Sequence, residues 1–352
     1  MQTESDPNIA VVILFYNDEP NVVDVLSSAL RQTYNNCAVI CVDNASTDQT
    51  LSLIQTSFPG LRIIANRENM GYAGAYKAAL AQIFDEGYEA AVLLNSDVIV
   101  DNNWLAELVR SAYADENIAI AQPKIFLRDG KDNDLANTFG NNINYLGFGF
   151  CGHYKKKDSQ AFSADREITS ASGCCMLIKK EAYSDIGELD DKFFSYMEDQ
   201  DFSWRARMKG RKIILSAKSL IWHKYRFREN QRNSLKFFLL ERNRLYFIFK
   251  HYSTKTFLLI LPAFLFMEAG ILVNSICSGY FLAKIKSYYA FATNISTLKA
   301  ARAKIQKNRK ISDRQLFREF SPTIDFDEID SPLFRLANLF LKHYYNFVRK
   351  LI

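Results

Sequence analysis

Three carboxylates stand within four positions of the chain, directly after a run rich in aromatic residues. The segment 193–201 has the sequence FFSYMEDQD, so Glu198, Asp199 and Asp201 follow two phenylalanines and a tyrosine. Carboxylates rarely lie beside buried apolar surface unless they are paired, bind metal or take part in chemistry. Burial also raises the pKa of a carboxyl group toward the range of a general base. The cluster therefore predicts a catalytic site with Asp199 and Glu198 as candidate residues.

A second acidic position follows the apolar run Ala90–Leu94. The run ends in Asn95-Ser96-Asp97, where the Asp97 carboxylate could bind a divalent cation that holds a diphosphate. Mg²⁺ usually takes only one or two protein carboxylates and completes its octahedron with phosphates and water. The alternative is ordinary polarity at a strand end. His223 ends another apolar run and is a candidate metal or phosphate contact, or else a core histidine.

A third polar position, Asp43-Asn44, ends the apolar run near residue 40. A carboxylate there could accept a hydrogen bond from a nucleobase N–H or a ribose hydroxyl. A turn and helix cap are the alternative, and they explain residues 46–48 better than Asp43. Gly71 and Gly74 could allow a diphosphate to approach the backbone, although glycine at a loop-to-helix junction often supplies only backbone freedom.

Apolar runs alternate with helical patterns over roughly the first 120 residues, which predicts an α/β fold with a mostly parallel sheet. The predicted strands are 9–15, 38–42, 61–65 and 90–94, and the predicted helices are 47–58, 71–84 and 104–113. In such sheets ligands bind beyond the carboxyl ends of the strands. Asn17, Asp43 and Asp97 all fall at such ends, so we expect them to share one site.

Further elements are predicted beyond residue 128. Residues 128–170 are polar and predict a long loop or a small antiparallel insertion. A strand at 174–178, helices near 180–186 and 200–209, and short strands at 213–215 and 220–222 follow.

The last third of the chain differs in charge and hydropathy. Residues 1–223 carry 21 basic and 30 acidic side chains, whereas residues 224–352 carry 23 and 9. The apolar segment 257–283 is interrupted by Pro262, Glu268 and Asn274. Its 11 charge-free residues before Glu268 fall short of the roughly 20 that cross a bilayer. The pattern predicts a bent hairpin or a tilted span at a membrane, or else a buried helical pair, within a C-terminal region 231–352 that follows a catalytic domain 1–230.

The cysteines and the N-terminal residues indicate a cytosolic protein. None of the 6 cysteines forms a C-x-x-C pair, and most lie in apolar runs, which favours reduced core thiols over disulfides or zinc ligands. The first eight residues are polar and acidic, so no cleaved signal peptide is expected.

Taken together, these motifs resemble the family 2 glycosyltransferases, inverting enzymes of the GT-A fold, and most closely their rhamnosyltransferase-like branch. The resemblance covers roughly residues 9–250. Four blocks in order carry it: Phe15-Tyr16-Asn17, Val42 to Asp48, Leu93 to Val98, and Ser172 to Ile178 continuing through Phe193–Asp201.

The resemblance implies a Rossmann-like sheet flanked by helices and a nucleotide-diphosphate sugar as donor. It implies that Asp43 contacts the base, that Asp97 matches the last position of a metal-binding Asp-x-Asp motif, and that Asp199 is the catalytic base. His223 matches a metal-contacting histidine of some relatives, and Mg²⁺ or Mn²⁺ is the implied cofactor. The remaining expected donor contacts are Asn17, Asn44, Gly71, Asn95 and Ser96. Lys77 could contact a phosphate, but Tyr76-Lys77 stands where relatives often have Asn residues. Asn95 stands where many members have Asp, a departure that the rhamnosyltransferase-like branch shares.

The resemblance also implies a saccharide or lipid-linked acceptor and a role in cell-surface polysaccharide or glycan synthesis. The basic, apolar C-terminal region would then hold the enzyme at the cytoplasmic face of the membrane. A non-catalytic partner that keeps the fold and binds nucleotide or lipid stays open because of Asn95. A sugar-1-phosphate nucleotidyltransferase is disfavoured, since residues 15–19 lack the glycine and lysine of its loop. A nucleic-acid partner is also disfavoured, because the basic residues are interleaved with apolar ones.

Overall fold

The computed structural model describes residues 6–128, 134–225, 233–325 and 332–352. The chain forms two compact units, and each is assembled from separate stretches of sequence. The first unit comprises Met1–Asn141, Gly152–Ala206 and Arg211–Tyr225, and the second comprises Asn142–Cys151, Arg207–Gly210 and Arg226–Ile352. The domain ranges expected from the sequence stay a prediction.

The first unit is built on a ten-stranded sheet that is parallel over much of its width. Its strands are β1 (Ile9–Phe15), β2 (Cys37–Asp43), β3 (Arg62–Ala65), β4 (Ala90–Asn95), β5 (Val98–Val100), β6 (Ile118–Leu127), β7 (Ala136–Thr138), β10 (Arg166–Glu167), β11 (Cys175–Lys179) and β12 (Lys212–His223). The order is β10-β12-β6-β11-β4-β1-β2-β3, with β5 on β12 and β7 on β6. Strand β11 is antiparallel to both of its neighbours, β4 and β6. The predicted α/β class is confirmed.

Helices cover both faces of this sheet because its central strands are apolar on both sides. The helices are α1 (Val22–Leu30), α2 (Thr50–Ser57), α3 (Gly71–Asp85), α4 (Trp104–Ala112), α5 (Lys180–Ile186) and α6 (Glu198–Met208). Side chains of α3, α5 and α6 pack in one core. Side chains of α1, α2 and α4 pack in the other. The parallel strands therefore direct their carboxyl ends to one edge.

The region after β6 differs in detail from the prediction. The described part of 128–170 forms short antiparallel strands, and residues 129–133 lie outside the described residues. The two strands predicted at 213–215 and 220–222 are one strand, β12, with a register shift between Ser216 and Leu220. Two buried serines lie at this shift. The Ser111 hydroxyl donates to the Ser216 hydroxyl, and the Ser219 hydroxyl donates to the carbonyl of Trp104.

The second unit is mainly helical. It contains the hairpin β8 (Asn141–Ile143) and β9 (Gly149–Cys151), together with α7 (Ser234–His251), α8 (Thr254–Cys277), α9 (Phe281–Thr293), α10 (Ile295–Asn308), α11 (Asp313–Leu316) and α12 (Pro332–Leu351). The apolar segment 257–283 does not turn back on itself before Cys277. It continues as α8 through Pro262 and Glu268, and α9 starts after a short turn. Among the described residues, α8 is the one helix whose length and composition would suffice to cross a membrane.

Candidate active site

The carboxyl ends of β2, β1 and β4 bring three predicted positions to one edge of the sheet. Strand β1 lies between the other two, with Phe15 beside Asp43 and Leu14 beside Asn95. The loop after β1 crosses to the loop after β2, because the Asn17 side-chain oxygen accepts the backbone N–H of Thr47 at 2.7 Å. Asn17 and Asp43 therefore lie close together at the edge of the sheet where Asn95 also lies.

Asp43 is buried, and one of its oxygens is unused. Oδ2 accepts the backbone N–H of Ser46 at 3.3 Å. Oδ1 is also buried but has no hydrogen-bond partner within the described part of the chain. A buried carboxylate oxygen without a partner is costly, so this geometry favours a ligand that donates a hydrogen bond there.

Asn44 organises the loop that precedes α3. Its side-chain oxygen accepts from Asn66 at 3.0 Å and from the N–H of Met70 at 3.1 Å, while its Nδ2 donates to Asn69 at 2.9 Å. These bonds make Asn44 a positioning residue for the loop that ends at Gly71. The predicted direct contact between Asn44 and the donor stays a prediction.

Asp97 and His223 face each other at the ends of adjacent elements. The His223 Nε2 atom lies 3.2 Å from Asp97 Oδ1, and Nδ1 lies 2.9 Å from the side-chain oxygen of Asn137. Burial opposes protonation of His223, but the Cys174 and Asp97 groups beside it raise its pKa well above the ordinary value. Burial would raise the pKa of Asp97, but the His223 imidazole outweighs this and lowers it.

Two charged residues that the sequence did not single out lie beside Asp97. Asp18 accepts a hydrogen bond from the hydroxyl of Ser96, and its pKa is raised, first of all by burial. Lys224 donates its backbone N–H to the carbonyl of Asp97 at 2.9 Å, and its ammonium group bonds to Asn21. Their positions directly after Asn17 and His223 were the available signal.

The predicted catalytic pair lies in the first turn of α6. Asp199 Oδ2 accepts the backbone N–H of Gly173 at 2.8 Å, and Oδ1 accepts that of Gln200 at 2.7 Å. Burial raises the pKa of Asp199 although these two bonds oppose the shift. Glu198 is only 5% exposed, and its pKa is raised further, by burial and then by Asp199. The third carboxylate, Asp201, forms an ion pair with Arg205 at 2.8 Å.

The loop entering α6 has an unusual backbone, since Phe194, Tyr196 and Met197 all have φ between 61° and 68°. Such conformations are uncommon for side chains with a Cβ and persist where the surroundings fix them. Gly71 supplies part of that support, because a Cβ there would lie 2.3 Å from the Phe194 carbonyl oxygen. The predicted contact between Gly71 and a diphosphate stays a prediction, but the close approach to Phe194 already explains the glycine.

Lys77, which was predicted to contact a phosphate, pairs with two carboxylates in the structure. Its ammonium group forms ion pairs with Glu188 at 3.2 Å and Asp191 at 3.4 Å. The predicted contact between Lys77 and a phosphate stays a prediction.

The segment Ser172–Cys174 joins the Asp97 side of the site to Asp199. The Cys174 carbonyl accepts the N–H of Asn95 at 2.9 Å, two residues before Asp97. The adjacent Gly173 donates to Asp199, and its carbonyl accepts the Tyr72 hydroxyl at 2.5 Å. A metal-binding candidate and a candidate base therefore flank one short segment of backbone.

The side chains near Asp97 fit a metal that takes most of its ligands from the substrate. In residues 6–128, 134–225, 233–325 and 332–352, no three His, Cys, Asp or Glu side chains form a group able to hold a metal ion. However, the buried Asp97 Oδ1 accepts no well-aligned hydrogen bond from the described residues, and it lies 3.2 Å from the His223 Nε2 atom, which would release its proton when the two groups bind a metal ion. One carboxylate and one imidazole are enough for Mg²⁺ or Mn²⁺ when a diphosphate supplies further oxygens.

Comparison with known proteins identifies the family. The sequence model of glycosyl transferase family 2 matches residues 10–187, half of the chain. The chain belongs to glycosyl transferase family 2. In this family 2 glycosyltransferase, Asp43 and Asp97 lie within the matched region, whereas Asp199 and His223 lie after it.

Curated relatives of this glycosyltransferase are named for different acceptors and products. It is 23% identical to the N-acetylglucosaminyl-diphospho-decaprenol L-rhamnosyltransferase of Mycobacterium tuberculosis, over 57% of this chain and 71% of that protein. It is 24% identical to the low-salt glycan biosynthesis hexosyltransferase of Haloferax volcanii, over 57% of this chain and 62% of the relative. It is also 24% identical to the poly-beta-1,6-N-acetyl-D-glucosamine synthase of Staphylococcus aureus, over 61% of this chain but 49% of the synthase.

A solved structure supports the fold. The crystal structure of GalNAc-T7 with UDP, GalNAc and Mn²⁺ aligns with a TM-score of 0.59 and 16% identity, over 74% of this chain and 51% of that one. This likeness confirms the predicted GT-A architecture.

Proposed function

We propose that this glycosyltransferase moves a sugar from a nucleotide-diphosphate sugar, such as dTDP-rhamnose or a UDP-sugar, to a hydroxyl of a saccharide or lipid-linked acceptor, with inversion at the anomeric carbon. The observation that carries the proposal is the segment Ser172–Cys174, which has Asp199 on one side and the strand end that leads to Asp97 on the other. An inverting transfer needs this pairing of a leaving-group site with a base.

The donor half of the reaction is assigned to the strand ends. The unused Asp43 Oδ1 would accept a hydrogen bond from the nucleotide base. Asp97 and His223 would hold Mg²⁺ or Mn²⁺, which when bound neutralises charge that develops on the diphosphate. The Mn²⁺ and UDP named with the solved GalNAc-T7 structure make a divalent cation plausible for this fold.

The acceptor half is assigned to Asp199. Its carboxylate would take the proton of the acceptor hydroxyl as that oxygen bonds to the anomeric carbon and the bond to the diphosphate breaks. The electron pair leaves with the nucleotide diphosphate. The raised pKa of Asp199 suits a base, and the two backbone N–H groups fix its orientation before the acceptor arrives.

The acceptor class and location are proposed from the relatives and from the second unit. The mycobacterial relative is named for a diphospho-decaprenol acceptor, and the staphylococcal relative for a polysaccharide product. An apolar helix such as α8 would suit an enzyme that meets lipid-linked saccharides at the cytoplasmic face of a membrane.

The test is transfer from a panel of nucleotide sugars to lipid-linked and free saccharides, with and without Mg²⁺ or Mn²⁺. We expect one donor to support metal-dependent transfer, Asp97→Ala to abolish it, and Asp199→Asn to slow it by about 10²- to 10⁴-fold. Asp115→Asn is a matched control, since Asp115 is an exposed carboxylate paired with Lys212. Transfer by Asp199→Asn at the wild-type rate would exclude Asp199 as base. Donor binding without transfer to any acceptor would favour the non-catalytic alternative that Asn95 leaves open.

A further inference from the structure

The described part of the second unit carries a long apolar surface that no other described residues cover. Five large apolar side chains of α8 are each half or more exposed, namely Leu258, Leu265, Phe266, Val273 and Ile276. At 100° per residue they lie within about 100° of arc, so they form one stripe along the helix. The only charged side chain between Thr256 and Ala283 is Glu268, which is buried on another side of α8.

Helix α12 adds a second stripe. Leu341, Tyr345 and Val348 form the buried face of α12. A different face of the same helix exposes a second apolar set: Leu336, Leu339, Phe340, Phe347 and Leu351. A surface helix of a soluble protein needs one apolar face, so the second face calls for a further apolar partner.

The two stripes are continuous. The rings of Phe266 on α8 and Phe340 on α12 lie 4.7 Å apart, and both are exposed. The Tyr344 hydroxyl donates to the carbonyl of Leu259 at 2.8 Å, which fixes the two helices side by side. We call the exposed apolar residues of α8 and α12 the lipid-facing surface.

The charges beside this surface indicate what covers it. Helix α12 contains no acidic residue, and Lys342, Arg349 and Lys350 are exposed on it. Residues 224–352 as a whole carry 23 basic and 9 acidic side chains. An apolar face with cationic flanks fits anionic lipid headgroups, whereas a second copy would bring like charges together.

The buried face of α8 favours a position in the interface rather than across the bilayer. Glu268 lies just past the middle of the 24-residue helix α8 and bonds to Arg244 of α7 and Lys284 of α9. A spanning α8 would carry these charged neighbours toward the hydrocarbon, where charge is expensive. A helix lying along the surface keeps them on the protein side.

We infer that the lipid-facing surface inserts into the headgroup and acyl boundary of an anionic membrane, with α8 and α12 lying along it. The inference rests on the proposed function only in that a lipid-linked acceptor gives the enzyme a reason to bind a membrane. Helix α12 is then a membrane-binding element in addition to the apolar segment 257–283.

The test is flotation of the full-length protein with vesicles of phosphatidylcholine alone or mixed equally with phosphatidylglycerol. We expect binding to the mixed vesicles, weakened by salt, and a fall of about tenfold or more for Leu339→Glu combined with Phe347→Glu. Lys342→Ala with Arg349→Ala should lower binding to the mixed vesicles only. Leu30→Glu, at an exposed leucine of α1, is the matched control and should bind as wild type.

Two outcomes would overturn the inference. The first is unchanged flotation of the Leu339→Glu and Phe347→Glu variant. The second is a wild-type protein that does not bind vesicles and sediments as a dimer, combined with a Leu339→Glu and Phe347→Glu variant that sediments as a monomer. A second copy of the chain would then cover this surface. Donor hydrolysis in solution is measured in parallel and should match wild type in every variant. Vesicle binding by a protein that transfers sugar from none of the donors to any acceptor would reject the proposed function and leave the membrane surface standing.

Discussion

At the scale of single residues, the site depends on how two neighbouring carboxyl groups are held. Asp199 has two backbone N–H donors, whereas Glu198 Oε2 is buried and accepts no hydrogen bond from the described residues. Burial raises the pKa of both groups, and Glu198 is also raised by the charge of Asp199. Different environments therefore separate a carboxylate that can act as base from a neighbour that retains its proton to higher pH.

The raised pKa of Asp199 predicts the acid side of the pH profile. Transfer requires the ionised carboxylate, so kcat/KM should rise with pH through the raised pKa of Asp199 rather than through the ordinary value of 3.8. The measurement is kcat/KM for the acceptor between acidic and neutral pH at saturating donor. The residual rate of Asp199→Asn should no longer fall at acidic pH in this way. If the same fall persists in the variant, another group is responsible for it.

Tyr72 is predicted to position the base without touching substrate. Its hydroxyl donates to the carbonyl of Gly173, whose N–H donates to Asp199, so removing the hydroxyl loosens the peptide that orients the carboxylate. We expect Tyr72→Phe to lower kcat by about threefold to tenfold, equivalent to about one hydrogen bond, with the donor KM unchanged.

The control for Tyr72→Phe is Tyr76→Phe on the same helix. Tyr76 is fully buried, and its hydroxyl donates to the carbonyl of Leu94 at 2.9 Å without a link to Asp199. Both variants should lose similar stability in urea unfolding. A fall in kcat of equal size in both would mean that Tyr72 supports the fold alone.

At the scale of secondary-structure elements, α3 and the loop before α6 hold each other in place. Gly71, the first residue of α3, has φ of +68°, and in the same turn of the helix the N–H of Ala73 donates to the Phe194 carbonyl at 3.0 Å. This contact supports the strained stretch 194–197 directly before Glu198. The geometry of α6 is therefore linked to the start of α3.

Replacing Gly71 tests this link. Gly71→Ala places a Cβ against the Phe194 carbonyl oxygen, and its positive φ is also unfavourable for alanine. We therefore expect the free energy of unfolding to fall by about 2 kcal/mol or more. Gly87→Ala is the control, since its φ is also positive and nothing lies within 4 Å of its added Cβ among the described residues. Equal losses in the two variants would show that only backbone strain matters at Gly71.

Three helices of the second unit are joined by buried charges. Arg244 and Lys284 alternate with Glu241 and Glu268, with Arg244 3.0 Å from Glu241 and Lys284 2.8 Å from Glu268. All four side chains are almost inaccessible to solvent. Desolvation offsets most of the attraction in such a group, but removing one partner leaves an uncompensated buried charge.

A double-mutant cycle should reveal this balance. Arg244→Met and Glu268→Gln should each cost about 3–5 kcal/mol, because each leaves an excess charge of one sign. The double variant retains Glu241 with Lys284 and should cost clearly less than the sum of the two single variants. Urea unfolding of all four proteins gives the coupling energy, and strictly additive losses would show that the four charges do not act as one group.

At the scale of the whole molecule, the sequence was informative about which side chains lie at strand ends. It was less informative about contacts between residues that are far apart in the chain. The meeting of Asp43 and Asp97 at one edge of the sheet was predictable, because one apolar run ends at Asp43, another ends just before Asp97, and parallel strands collect their carboxyl ends at one edge. The contact of Tyr72 with Gly173 joins residues 101 positions apart, and no periodicity reports such a pairing. The second apolar face of α12 was also missed, since hydropathy alone does not separate a buried face from an exposed one.

The second unit is also discontinuous in a way that composition did not reveal. The β8–β9 hairpin comes from the middle of the chain, yet its residues Ile143, Tyr145 and Leu146 are fully buried. Within this unit the Tyr145 hydroxyl donates to the carbonyl of Leu341, and the Ser321 N–H donates to the carbonyl of Ile143 at 2.8 Å. The helical region after residue 225 therefore completes the core around an earlier segment.

This discontinuity predicts that the chain cannot be shortened to its sheet-bearing part without damage. Deleting residues 226–352 would expose Tyr145 and Leu146 and remove the Leu341 carbonyl that accepts from the Tyr145 hydroxyl, so we expect residues 1–225 to aggregate or to unfold at a clearly lower temperature. Full-length Tyr145→Ala should lose about 3–5 kcal/mol by the same reasoning, whereas Tyr145→Phe, which loses only the hydroxyl bond to Leu341, should lose about 1 kcal/mol. Thermal and urea unfolding give these values. A truncated chain that stays monomeric and melts with the full-length protein would show instead that the hairpin needs no support from the C-terminal helices.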